Sequence, residues 1–181
     1  MKSILAIIIL LLIGYSSYAQ HTDRFLELVK NLEQVSCKKD TVFYKNRNVW
    51  WTMCWTTYEH DSEKYSTRTG EMVQYYKNGQ IAHQYFLDNY GNMKTMKVFD
   101  RKGNKVEEYV TTKIDSNAKT LIEFFESQDH MKFNTWTSIY RCSSKLGIPY
   151  LYKEGLRVNG NKNGVWTTYY DNGEIKKEKE Y

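Results

Sequence analysis

Three consecutive segments, YKNGQIAHQYFL, DNYGNMKTMKVF and DRKGNKVEEYVT, run without a gap from Tyr76 to Thr111. Each carries glycine at its fourth place, so Gly79, Gly91 and Gly103 fall twelve residues apart. This beat constrains the fold more than any other feature. In Asp88–Gly91 and Asp100–Gly103 an aspartate opens a four-residue unit that glycine closes. That is the type I turn signature: the carboxylate accepts from the backbone N–H two residues on, and glycine tolerates the positive φ that follows. YKNG at 76–79 and YDNG at 170–173 place Asn78-Gly79 and Asn172-Gly173 at the same positions, and Asn-Gly is the strongest short hairpin signal. About eight residues remain between turns, enough for a strand of roughly 26 Å at ~3.3 Å per residue. Strands at this spacing with turns between them predict an antiparallel all-β assembly. On this reading Asp88, Asp100, Asn78, Asn172 and the four glycines are structural turn residues, and ligand contacts belong to the strands between them.

A longer self-match extends the pattern. GEMVQYYKNGQI from Gly70 lies over GVWTTYYDNGEI from Gly164, with both glycines, the tyrosine pair, Asn-Gly and isoleucine in register. Looser Trp-Thr…Tyr pieces begin at Trp55, Trp136 and Trp166. Each unit cannot bury its apolar face alone, and stacking against neighbours is what stabilises such units.

The C-terminal stretch NGNKNGVWTTYYDNGEIKKEKEY resembles the variant form of the MORN repeat, through Gly160, Gly164, Trp166, Tyr169, Tyr170, Asn172, Gly173 and Ile175. The copy at Gly70–Ile81 has Met72 where the repeat has tryptophan. The clearest repeats are thus 70–111 and 159–181, within an antiparallel β domain spanning 41–181. The resemblance implies a mainly β (α+β) fold, a β-meander of hairpin repeats. It also implies kinship with antitoxin-like proteins of the YwqK type, hence an antitoxin or immunity-type inhibitor of a toxin as one functional expectation. The repeat's name suggests membrane contact, which the fold alone does not establish.

Two helical patterns flank or interrupt the strands. From Thr22 to about Ser36, Phe25, Leu28, Val29, Leu32 and Val35 recur at helical spacing, with Thr22 or Asp23 as N-cap. This predicts an N-terminal amphipathic helix within 20–40. Ala118, Leu121, Ile122 and Phe125 predict a second helix over 116–127, capped by Ser116 or Asn117.

The first twenty residues read as an export signal. Lys2 precedes an apolar run from Ile4 to Ile13, and Ser17 and Ala19 suit cleavage after Ala19. The run is short of the roughly 20 residues that span a bilayer. The expected location is therefore secreted or periplasmic, where disulfides are permitted. Cys37, Cys54 and Cys142 allow three different single bridges, and sequence does not choose among them.

Charge narrows the partners. Removing Lys2 lowers the formal charge from +5 to +4, and the excess is spread along the chain. The run Lys176-Lys177-Glu178-Lys179-Glu180 alternates in sign, as a solvated strand does, whereas a nucleic-acid patch needs one-sided clustering. Nucleic acid is not an expected partner.

The search for chemistry yields little. His21, His60, His83 and His130 form no H-x-x-H or H-E-x-x-H pattern, and no Cys-x-x-Cys occurs. Gly155–Gly160 lacks the Lys-Ser or Lys-Thr that a phosphate loop needs, and Ser36–Lys39 matches a β-lactamase motif by spelling only. The Asp-x-x-Gly units hold Tyr90 and Lys102 where a calcium loop requires acidic ligands. No catalytic residue, metal or cofactor is expected. Sixteen tyrosines and five tryptophans point instead to half-buried strands and a binding face, with Tyr75, Tyr76, Trp166, Tyr169 and Tyr170 as its candidates. The leading expectation is an exported, non-enzymatic module that binds a protein, with a membrane or glycan surface as the other class of partner.

Overall fold

The computed structural model of the chain describes residues 20–181. The expected signal segment, residues 1–19, lies outside them. One antiparallel sheet dominates. Its ten strands follow one another in chain order: β2 (Glu33–Phe43), β3 (Val49–His60), β4 (Glu63–Tyr75), β5 (Ile81–Leu87), β6 (Met93–Phe99), β7 (Lys105–Ser116), β8 (Met131–Cys142), β9 (Pro149–Val158), β10 (Asn161–Tyr169) and β11 (Ile175–Glu180). A two-residue strand β1 (Gln20–His21) joins β7 in parallel. Helix α1 (Asp23–Val29) precedes the sheet, and helix α2 (Leu121–Glu126) fills the long connection between β7 and β8.

The turns form as the glycine beat predicts. In the turns 76–79, 88–91, 100–103 and 170–173 the first carbonyl accepts from the glycine N–H at 2.9, 3.3, 3.0 and 3.1 Å. The four glycines have φ between +85° and +88°. Asp88 Oδ1 accepts from the N–H groups of Tyr90 and Asn92 at 2.8 and 2.7 Å, and Asp100 treats Lys102 and Asn104 alike at 2.8 and 3.0 Å. Asn78 and Asn172 accept from the N–H two residues on, at 3.2 and 3.0 Å. Asp-x-x-Gly and x-x-Asn-Gly units therefore build one turn type. A fifth copy, Tyr44–Arg47, has the same bond, from the Arg47 N–H to the Tyr44 carbonyl at 2.9 Å, with Arg47 at φ 68° in the glycine place. The Asp61-Ser62 and Asn159-Gly160 connections differ, since both residues of each pair have positive φ, as the tighter two-residue hairpin requires.

Both helices are shorter than the apolar spacing predicts. α1 starts at the expected cap, where Thr22 Oγ1 accepts from the Phe25 N–H at 3.3 Å, but it ends at Val29. From Glu33 the chain is strand, so the boundary of the β domain moves from residue 41 to 33. The reason is tertiary: Glu33–Phe43 pairs with β3 almost without interruption, and ladder bonds over eleven residues outweigh a weak helical preference. Val35, expected on the buried helix face, is 55% exposed. α2 begins at Leu121 with Thr120 as its cap, not Ser116 or Asn117; Ser116 ends β7.

Register sorts side chains between two faces, because directly paired residues share a side of the sheet and neighbours along a strand alternate. On the inner face one row reads Met72, Tyr85, Met96, Tyr109, Thr137, Gly155 across β4 to β9. Along β8 the alternation Met131, Phe133, Thr135, Thr137 keeps that face to the helical end. There α1 and α2 cover it with Phe25, Val29, Leu121 and Phe124 packed on Ile114 and Met131. A second cluster joins Met53, Met72 and Leu87, with Trp51, Trp55 and Tyr85 against it. Of the three possible bridges, Cys37–Cys54 forms and ties the edge strand β2 to β3, leaving Cys142 free and exposed.

Two tests follow from this architecture. In urea denaturation Gly79→Ala should cost about 1–2 kcal/mol, the left-handed penalty alone, because open space surrounds its position. Gly91→Ala should cost more, since its new Cβ would run into the Thr67 hydroxyl, whereas Arg47→Gly should gain about 0.5–1 kcal/mol. Equal effects at the three sites would contradict the turn assignment. Reducing the Cys37–Cys54 bridge, which closes a separation of 17 residues, should lower stability by about 3 kcal/mol in the chain-entropy account.

Candidate binding faces

The five aromatic residues picked from the sequence do not share a face. Tyr75 closes β4 and Tyr76 opens the following turn, where its hydroxyl donates to the Phe99 carbonyl at 2.8 Å and Arg101 lies 5.9 Å over its ring. Tyr170 is exposed, with the Lys176 ammonium 5.3 Å from its ring centroid. Tyr169 donates its hydroxyl to Glu154 Oε1 at 2.7 Å. Trp166 is 1% exposed and cannot belong to a binding surface by its ring. Its indole lies over Gly155, where an added Cβ would stand 2.5 Å from the ring, and its Nε1 donates to the Leu156 carbonyl at 2.9 Å. Trp166 is a packing residue that needs Gly155 beneath it.

The outer face carries the apolar surface instead. One row of direct partners reads Glu71, Phe86, Thr95, Val110, Trp136, Leu156 across β4 to β9. Phe86 and Trp136 are 51% and 39% exposed, and Val110 and Leu156 are half-buried. From Phe86 to Leu156 the row crosses four inter-strand steps, about 19 Å at ~4.8 Å per step. A polar row flanks it: Val73, Gln84, Lys97, Glu108, Ser138, Glu154, Thr167, Glu178. Its groups are held in place. Gln84 donates to Glu71 at 2.7 Å, Lys105 pairs with Glu108 at 2.6 Å, and Trp136 Nε1 donates to Glu154 Oε2 at 3.1 Å. Neither Phe86 nor Val110 stands out in the sequence. Their pairing emerges only once register is fixed.

The inner face is more polar near β9–β11. Around the buried indole lie Lys153, Arg157 and Lys162, at 5.6, 5.3 and 4.8 Å from the ring centroid. The Tyr181 phenol is held below its ordinary value, first by the hydrogen bond from Lys162, against an opposing effect of burial, and then by the charges of Lys153, Lys162 and Lys179. Tyr109 behaves oppositely: burial, then its hydrogen bond to Glu107 and that carboxylate's charge, push its phenol up to about 12.

The remaining ionisable groups read as structural. Asp88, a predicted turn residue, is buried and also holds His21, whose Nε2 lies 2.7 Å from Oδ2. The turn thereby anchors the segment that leads into α1. His60 lies beside Asp61 at 3.3 Å at the β3–β4 hairpin. His83 bonds Gln74 at 2.6 Å across strands, and burial lowers its pKa against the opposing charge of Glu107. Among the described residues no group of three or more His, Cys, Asp or Glu side chains has metal-holding geometry. A cleft of about 540 Å³ between α1, α2 and the β3–β4 hairpin is lined by Arg24, Leu28, Asn31, His60, Tyr65 and Ile122, among others.

The chain matches no family model and no curated protein. Among solved structures it is similar to a porin-like protein from Bacteroides uniformis, at 11% identity and a TM-score of 0.25, covering 79% of this chain and 60% of that one. It is also similar to a mutant of S. aureus TarM in complex with fondaparinux, α-GlcNAc-glycerol and UDP, at 14% identity and a TM-score of 0.22, covering 46% of this chain and 20% of that one. Neither score identifies a common fold.

Tyrosine titration followed by NMR should place Tyr181 below the ordinary value of 10 and Tyr109 near 12, with Lys162→Gln raising the Tyr181 value alone. Coincident titration of both phenols would remove the electrostatic account of this face.

Proposed function

We propose that the protein is an exported, non-enzymatic binding module of β-repeats that presents its outer sheet face to a protein partner. The observation that carries this reading is the row Phe86, Thr95, Val110, Trp136, Leu156, a mainly apolar stripe across a single-layer sheet with a hydrogen-bonded polar row beside it. Exposed tryptophan and aromatic residues inside a polar rim are the composition of interface cores. The similarity to variant MORN repeats supports the same reading, since stacked hairpins make an extended surface and no enclosed pocket is needed. Export is supported by the Cys37–Cys54 bridge, which persists in oxidising compartments.

The test is quantitative capture from the envelope fraction with the wild-type chain as bait and Trp136→Ala and Phe86→Ala as variants. Loss of a tryptophan anchor worth about 2 kcal/mol weakens binding roughly 30-fold, and the variants should release the partner while keeping the wild-type melting temperature. A partner retained equally by both variants would rule out this face.

A further inference from the structure

The run Ile175-Lys-Lys-Glu-Lys-Glu180 alternates in sign, and a strand converts alternation in sequence into separation in space. In β11, Lys177 pairs with Thr168 and through it with Lys153, while Lys179 pairs with Trp166. Both lysines therefore fall on the inner face. Glu178 pairs with Thr167 and Glu180 with Val165, which puts the two carboxylates on the outer face. Arg157 and Lys162 are direct cross-strand partners, and Arg157 shares the side of Lys153 and Gly155 along β9. Five cations from three strands thus occupy one corner of the inner face.

No carboxylate among the described residues is paired with them. Glu154 lies on the outer face, where it accepts from Trp136 and Tyr169, and the inner-face carboxylate Glu107 accepts from the Tyr109 hydroxyl. Lys153, Arg157 and Lys162 surround the Trp166 ring, and Lys162 and Lys179 lie 4.7 and 4.5 Å from the Tyr181 ring. The two rings attract the cations through their negative faces but carry no charge to cancel theirs. Arg157 Nη1 donates to the Gly160 carbonyl at 2.7 Å, yet its Nε is buried without a partner. Two like charges directly opposite on neighbouring strands destabilise a sheet, so Arg157 and Lys162 are poised to gain from an added anion.

We infer that this corner, built from Lys153, Arg157, Lys162, Lys177 and Lys179 around Trp166 and Tyr181, binds a multiply charged oxyanion, a ligand bearing phosphate or sulfate groups. The patch extends about 13 Å from Lys153 to Arg157 along β9 and about 10 Å from β9 to β11, the span of two or three such groups. A fork of N–H donors beside several ammonium points suits tetrahedral oxyanions better than a lone carboxylate. The site is on the opposite side of the sheet from the Phe86–Leu156 row and is independent of the protein-binding reading.

The experiment titrates sodium tripolyphosphate into the protein at constant ionic strength, read by calorimetry and by intrinsic tryptophan fluorescence. Saturable binding is expected, weakened about a hundredfold in Lys162→Gln/Lys179→Gln, at roughly tenfold per charged hydrogen-bond donor removed. Lys97→Gln, on the outer face, should bind like the wild type. The double variant should melt at or above the wild-type temperature, because it relieves repulsion, and should still capture the outer-face partner. Dextran sulfate forms the second arm: tight binding of the polymer with weak binding of tripolyphosphate assigns the anion to a polysaccharide, and the reverse assigns it to a small phosphate. Absence of saturable binding in both arms, or equal affinity of the wild type and the double variant, would overturn the site.

Discussion

The sheet depends on a turn in which one residue adopts left-handed backbone. Five hairpins close with that turn, and beside each the pairing register shifts by one residue, at Val42/Phe43, Gln74/Tyr75, Phe86/Leu87, Val98/Phe99 and Thr168/Tyr169. The shift is the bulge that a type I turn with a left-handed fourth residue imposes. Because a one-residue slip sends every side chain of a strand to the opposite face, these bulges decide which residues point inward. The carboxylate of Asp88 or Asp100, and the amide of Asn78 or Asn172, hold the turn by accepting from backbone N–H groups. Neighbouring turns are also tied together, since the Tyr44 and Tyr76 hydroxyls donate to the carbonyls of Tyr75 and Phe99 at 2.7 and 2.8 Å.

A single sheet has two faces to cover and, among the described residues, two short α-helices to do it. α1 and α2 spend their apolar side chains on one end of the inner face. Elsewhere that face relies on its own large side chains: Trp51 and Tyr85 stack at 6.2 Å, and Trp166 lies over Gly155. The outer face has no covering element among the described residues and remains a plane of alternating apolar and polar rows. Function, on this reading, resides in surfaces whose composition is set strand by strand.

How much of this was legible in the sequence depends on which signal each residue carries. Turns at Gly79, Gly91, Gly103 and Gly173 were legible because glycine marks positive φ. The equivalent turn at Arg47 was not, because arginine accepts the same backbone only under tertiary constraint and sends no signal. Helical spacing through Leu32 and Val35 misled because those residues also suit a strand, and pairing with β3 decided the contest. Period-two parity already separates Trp166 from Tyr169, yet their closeness in sequence grouped them. Alternating charge in β11 suggested a solvated strand, and only its pairing to β10 and β9 revealed that one sign gathers on one side. The outer row needed partners from five strands at once, information no local window contains.

Strand order has a kinetic meaning as well. Every strand from β2 to β11 bonds to its neighbours in the chain, so most contacts close short loops and little chain entropy is spent before each pairing forms. Such a sheet can assemble by propagation, hairpin upon hairpin, with the docking of β1 and α1 on β7 as its long-range closure. Its two ends then differ in permanence. The β2 end is covalently clamped, whereas β11 is held by β10 alone, and with it Lys177 and Lys179. Fraying of that last strand would take two of the five cations out of the corner and leave the rest of the sheet intact, so occupancy of the corner and order of the C-terminal strand become linked equilibria.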